Sequence, residues 1–67
     1  MNPIEEATGL VATGDDRKAL EILHELAEST DNAELRHEIH ELAEIAHDSS
    51  RGFHRIEWHR LMIDTEP

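Results

Sequence analysis

The sequence predicts an all-α fold: a small bundle of three to four short antiparallel helices, arranged as two stacked helical hairpins. Apolar residues recur at spacings of three and four through residues 1–50, which is the period of an amphipathic helix. Helix-starting and helix-ending stretches, "NPIEE", "TGDD" and "STDN", interrupt that pattern. A chain of 67 residues buries only a modest core, so we expect one helical domain over residues 1–67.

The first helix should run from Pro3 to Ala12. Asn2 is a favoured N-cap, Pro3 suits the first helical position, and two glutamates follow at the positive end of the helix dipole. Gly14 in "TGDD" is placed to end the helix. The apolar residues of this helix share one face: Ile4, Ala7 and Val11, with Leu10 on the flank.

Two longer helices follow. Asp15 or Asp16 should cap the second helix, "DRKALEILHELAES", and Asp31 the third, "NAELRHEIHELAEIAHDSS", which Gly52 should close. In the second helix the apolar residues fill a broad arc: Ala19, Leu20, Ile22, Leu23, Leu26 and Ala27. In the third helix they form a narrow stripe: Leu35, Ile39, Leu42 and Ala46.

The last segment, residues 53–67, has apolar side chains that point nearly all round a helical wheel. A strand here would have no partner strand in the chain, so the pattern favours a short fourth helix or tail. We expect this helix to end near Asp64 and to pack on more than one side.

Charge sets limits on function. The formal net charge is -10, and residues 1–50 hold 13 acidic against 3 basic residues, whereas residues 51–67 hold 3 of each. A nucleic-acid backbone would repel such a chain, so direct nucleic-acid binding is not expected. No apolar run approaches the roughly 20 residues of a membrane-spanning helix, and "MNPIEEATGL" lacks the features of a signal peptide. We therefore expect a cytoplasmic protein.

The stretch "ELRHEIHELAEIAH" raises the question of a metal site, because the chain contains no cysteine and any metal would need His and carboxylate ligands. Its Glu-x-x-His spacings resemble half of the di-iron motif of ferritin-like proteins. That resemblance implies a metal-binding helical oligomer as the alternative function. The candidate ligands are His37, His40, Glu41, Glu44 and His47. They fall opposite the apolar stripe of the third helix, so a solvated helix face is favoured and no cofactor is expected.

Residues 9–35, "GLVATGDDRKALEILHELAESTDNAEL", resemble the turn and second helix of a tetratricopeptide repeat. Gly14, Ala19, Leu23 and Ala27 match the small and large positions of that family. The resemblance implies stacked helical hairpins with a peptide- or protein-binding groove. The first helix departs from the pattern in having no Trp or Tyr, and Phe53 stands where the second unit should have a small Ala.

Catalytic motifs are missing from the sequence. No nucleophile elbow or phosphate loop occurs, and the histidines of "HEIHE" are three apart, not four as in zincins. We therefore predict no catalytic residues and a non-enzymatic interaction module of the adaptor or inhibitor type. It should dock acidic helical faces on a basic protein surface and form a homo-oligomer, such as a homodimer. The partner-binding candidates are Phe53, Arg55, Trp58, Arg60, Glu38 and Glu41. Of these, Phe53 and Trp58 are equally suited to close a small core, and that alternative is favoured.

Overall fold

The computed structural model describes residues 2–66, and in this range every regular element is an α-helix. The four helices are α1 (Pro3–Ala12), α2 (Asp16–Ser29), α3 (Ala33–Ser49) and α4 (Gly52–Asp64). The predicted all-α bundle of short helices is confirmed. None of these helices has the length and apolar character needed to span a membrane.

Side-chain caps fix the starts of the first three helices. Asn2 accepts a hydrogen bond from the amide two residues ahead at 2.9 Å, and Asp15 accepts one from the amide three residues ahead at 3.3 Å. Asn32 caps α3 with its side-chain oxygen, which lies 2.9 Å and 3.1 Å from two amides of the first turn. The prediction that Asp31 caps this helix is wrong, because Asn32 and not Asp31 directly precedes the first helical residue, Ala33.

Two glycines turn the chain between antiparallel helices. Gly14 has φ of 88° and Gly52 has φ of 62°, a left-handed conformation that L side chains rarely adopt. Gly14 follows α1 as predicted. Gly52 does not close α3, which ends at Ser49; it is the first residue of α4. A single positive φ is enough to redirect the backbone there, so the connection between α3 and α4 is very short.

The helices pack as two hairpins, α1 with α2 and α3 with α4. The hairpins meet through α2 against α4, α1 against α3 and α2 against α3, while α1 and α4 are not in contact within the described chain. Small residues allow the close approach of the helix axes. The core consists of Ala7, Ala19, Leu20, Leu23, Ala27, Ile39, Leu42, Ala43, Ala46, Trp58 and Leu61.

Helix α4 has apolar residues on two sides. Trp58 and Leu61 are fully buried against the other helices. On the opposite side, Phe53, Ile56 and Ile63 keep 72%, 59% and 53% of their surface exposed. The predicted fourth helix ending at Asp64 is confirmed, and its apolar residues do point all round. Its outer apolar side, however, packs against nothing in the chain.

Candidate protein interaction surfaces

A carboxylate joins the two hairpins at one end of the bundle. Asp16, the first residue of α2, accepts a hydrogen bond from the Ser50 hydroxyl at 2.6 Å and another from the Trp58 indole N–H at 3.1 Å. Ser50 and Trp58 are both buried, so these donors have little access to water. Asp16 thereby satisfies two buried donors and fixes the start of α4 relative to α2.

A guanidinium joins the hairpins at the other end. Arg36 of α3 donates to the Ala27 carbonyl at 2.8 Å and to the Asp64 carbonyl at 2.5 Å. Both carbonyls lie near helix C-termini, where backbone oxygens lack intrahelical partners and a positive charge is favourable. With Asp16 at one end and Arg36 at the other, α4 is held in one orientation, which determines the side it presents to solvent.

The outward side of α4 carries a row of residues that we call the α4 stripe: Phe53, Ile56, Arg60 and Ile63. Their spacings of three, four and three place them on one face of a helix. All four side chains are exposed. The stripe therefore presents three large apolar side chains around one arginine.

An open groove runs beside the α4 stripe, between α2 and α4. Its wider part has a volume of about 560 Å³ and its narrower part about 330 Å³, and His24 and Glu57 line both. These two side chains approach each other to 3.9 Å across the groove. The wider part is lined by Arg17, Leu20, Glu21, His24, Phe53, His54 and Glu57. Phe53 thus belongs to both the stripe and the groove, so the two form one continuous surface.

A second surface lies on α3, which carries five acidic residues and, besides its histidines, Arg36 as the one basic residue. We call the following set the acidic ridge: Glu34, Glu38, Glu41, Ile45 and Asp48. Helical spacing places Ile45 between Glu41 and Asp48, and it keeps 64% of its surface exposed. The ridge therefore combines concentrated negative charge with one protruding apolar side chain.

The predicted partner-binding residues divide between these surfaces. Phe53 and Arg60 lie on the α4 stripe, and Glu38 and Glu41 on the acidic ridge. Arg55 is exposed on another side of α4, where its Nε lies 3.4 Å from His47. The structure does not bring all of them together into one site.

The prediction that Trp58 binds a partner is wrong. It is fully buried and its indole N–H is bound by Asp16, so it has no surface to offer a partner. Sequence reasoning instead missed Ile45, Ile56 and Ile63. The helical wheel contains the signal for Ile45, which falls outside the narrow apolar stripe of α3.

The helical wheel predicted one solvated face for the histidines of α3, and this prediction is wrong. His37 is exposed and lies 2.7 Å from Glu41. His40 and His47 are half-buried because α4 packs against their side of α3. The Nδ1 atom of His40 lies 2.9 Å from the Met62 carbonyl oxygen, which only accepts, so Nδ1 carries a proton and donates.

Four of the five candidate metal ligands, His37, His40, Glu41 and Glu44, line one open pocket on α3, and His47 lies outside it. His37 pairs with Glu41, and His40 reaches Glu44 only at 3.9 Å. Between Asn2 and Glu66, no group of three His, Asp or Glu side chains is arranged to hold a metal ion. The geometry within one chain therefore supplies pairs of polar neighbours and two candidate interaction surfaces.

Comparison with known proteins returned no match to a protein-family model, to a curated protein or to a solved structure. The resemblance to a tetratricopeptide repeat stays a prediction.

Proposed function

We propose that this chain is a non-enzymatic protein interaction module of the adaptor or inhibitor type, which self-associates and docks an acidic helical face on a basic partner. The observation that carries the proposal is the outward side of α4. Phe53, Ile56 and Ile63 are 53% to 72% exposed on one helix face, although a small domain has few apolar side chains to spare from its core. A contiguous exposed apolar patch of this kind is typical of an interaction site.

The acidic ridge supports the partner half of the proposal. Its carboxylates attract a positively charged surface and accelerate the encounter, while the exposed Ile45 gives the docked partner an apolar contact. Since the charges are exposed, the attraction should weaken as salt shortens the Debye length from about 10 Å at 0.1 M to about 3 Å at 1 M.

Sedimentation velocity tests self-association with a matched pair of variants. Ile56 on the α4 stripe and Ile45 on the acidic ridge are exposed to 59% and 64%, so glutamate at either position should leave the fold intact. We expect Ile56→Glu to shift the chain to monomer and Ile45→Glu to sediment as the wild type does. A monomeric wild-type chain at concentrations of tens of micromolar would contradict the proposal.

Affinity capture tests the basic partner. The wild-type chain and a Glu38→Lys/Glu41→Lys variant serve as paired baits, washed at low and at high salt. A partner of the proposed kind is retained by the wild type at low salt, is lost at high salt and is not retained by the variant. Equal capture of the same proteins by both baits would argue against the acidic ridge.

A further inference from the structure

We infer that the occupant of the α4 stripe is a second copy of this chain, bound through its own α4 stripe with the two helices antiparallel. The inference rests on the proposed self-association and adds the surface, the direction and the register of the contact.

Charge selects the second copy as occupant. Each chain has a net charge of -10, so two copies repel each other wherever their acidic faces meet. Helix α4 carries two acidic residues, Glu57 and Asp64, and two basic residues, Arg55 and Arg60, and is therefore neutral. The other three helices each carry a net negative charge. Two copies can thus approach closely through α4 with the least repulsion.

A strongly basic partner, by contrast, gains little from docking on α4. The neutral helix offers a basic partner no net electrostatic attraction. Arg60, in the middle of the stripe, would repel such a partner. The acidic ridge is the more favourable site for that class of partner. Charge therefore assigns a different partner to each surface: a second copy of the chain to the α4 stripe, and a basic protein to the acidic ridge.

The order of residues along the stripe selects the antiparallel direction. In a parallel pair each residue would face its own copy, which would place Arg60 against Arg60 in the centre of an apolar contact, where two like charges repel. Antiparallel pairing about the middle of the stripe places Phe53 opposite Ile63 of the second copy and Ile56 opposite Arg60 of the second copy. Each arginine then lays its methylene chain over an isoleucine.

The same register also places an acidic side chain near the guanidinium group of Arg60. Glu57 lies on the flank of α4 that faces the α2–α4 groove, next to His24. In the antiparallel pair Glu57 of the second copy comes nearly level with Arg60 on the same flank, which allows an ion pair in each half of the two-fold symmetric contact. The stripe therefore complements itself in shape and in charge.

The groove lies beside the contact. Phe53 lines its wider part together with Leu20 of α2, so the groove opens at the Phe53 end of the stripe. This places the larger volume of the groove, about 560 Å³, at the edge of the interface, once in each half.

Disulfide cross-linking tests the register, and the absence of native cysteine makes each introduced thiol unique. The variants are Phe53→Cys and Ile63→Cys, both at exposed positions. Positions 53 and 63 are about 15 Å apart along the helix, whereas a disulfide needs Cα atoms within about 7 Å. The antiparallel pair therefore allows a bond between position 53 of one copy and position 63 of the other, but not between two copies of either variant alone. In the mixed dimer the second Phe53–Ile63 contact stays intact.

We expect mild oxidation of the mixed variants to give at least about tenfold more cross-linked dimer than oxidation of either variant alone, with peptide mass spectrometry identifying the 53–63 bond. Cross-linking of each variant to itself, with no 53–63 bond in the mixture, would indicate a parallel pair and overturn the inference. A dimeric wild-type chain that gives no cross-link in any sample would also overturn the register but leave the proposed self-association standing. A monomeric wild-type chain in sedimentation velocity would refute both.

Discussion

Replacing Asp16 with alanine removes the carboxylate that accepts hydrogen bonds from Ser50 and Trp58. The Trp58 side chain is 0% exposed and Ser50 is 9% exposed, so neither donor can turn fully to water. An unsatisfied buried donor costs about 1–3 kcal/mol, and two of them should lower the free energy of unfolding by about 2–6 kcal/mol in Asp16→Ala. A domain of this length typically has about 3–10 kcal/mol in total, so the variant should be marginally stable.

Urea denaturation measures this loss directly. Trp58 is the only tryptophan of the chain and lies in the core, so its fluorescence reports unfolding, with circular dichroism as an independent probe. Asp16→Asn keeps one acceptor oxygen in place and should lose only about 1 kcal/mol. Glu25→Ala, at an exposed carboxylate on the same helix, should stay within about 0.5 kcal/mol of the wild type. All samples need one protein concentration, because the proposed self-association would add to apparent stability.

The reasoning is refuted if Asp16→Ala unfolds at the same urea concentration as Glu25→Ala. That result would mean that water reaches the two donors as soon as the carboxylate is removed. A loss of stability in Asp16→Asn as large as that in Asp16→Ala would point instead to the charge of the carboxylate at the start of α2, and not to its acceptor oxygens.

Three further predictions concern stability and use the same urea assay. Gly52→Ala should lower the free energy of unfolding by about 1–2 kcal/mol, because φ is 62° at this position. Gly9→Ala, inside α1 with open space around it, should raise it by about 0.5–1 kcal/mol, and the reverse order would contradict the backbone geometry. Arg36→Met should lose about 1–3 kcal/mol by releasing two carbonyl oxygens at helix ends, and an unchanged midpoint would show that water replaces the guanidinium without loss. His40→Ala removes the hydrogen bond to the Met62 carbonyl of α4 and should lower the free energy of unfolding by about 1–2 kcal/mol. The exposed His37→Ala should stay within about 0.5 kcal/mol of the wild type, and equal effects of the two variants would mean that the His40 bond contributes nothing.

Much of the fold could be predicted because its signals are local. Capping residues, glycines and the period of apolar residues each act within a few positions of the chain, and they gave α1 and α2 with their observed bounds. The one cap that was wrong, Asp31 in place of Asn32, concerns adjacent residues with similar capping ability. Gly52 was assigned to the end of α3 because the sequence alone does not say which of two adjoining helices a glycine belongs to.

The surfaces were harder to predict because they depend on how the hairpins meet. A helical wheel divides α3 into an apolar and a polar side, but it does not say which polar side chains a neighbouring helix will cover, and α4 covers His40 and His47. For α4 the wheel gives no preferred side at all. Trp58 faces the core and Phe53 faces solvent, and the partner of the Trp58 indole N–H is Asp16, which is distant in sequence and absent from the wheel.

Helix α2 is fastened to the α3–α4 hairpin at both of its ends, by Asp16 at the start and through the Ala27 carbonyl near the finish. Within residues 2–66, no comparable side-chain bond holds α1, and α1 has no contact with α4. Its packing on the core consists of the buried Ala7 and the partly buried Ile4, Leu10 and Val11. Local opening should therefore separate α1 from α2, although the two helices form a hairpin. We expect α1 to detach first, while α2 remains bound to α3 and α4.

Such opening has a specific outcome for hydrogen exchange. The backbone amides of α1 should exchange at a rate set by detachment of that helix alone, and those of α2, α3 and α4 at the slower rate of global unfolding. Each detachment would uncover the apolar side of α2 that Ala7 covers, while the α4 stripe stays in place. Exchange of this kind would divide the chain into a stable three-helix unit and a helix α1 that leaves and returns independently of it.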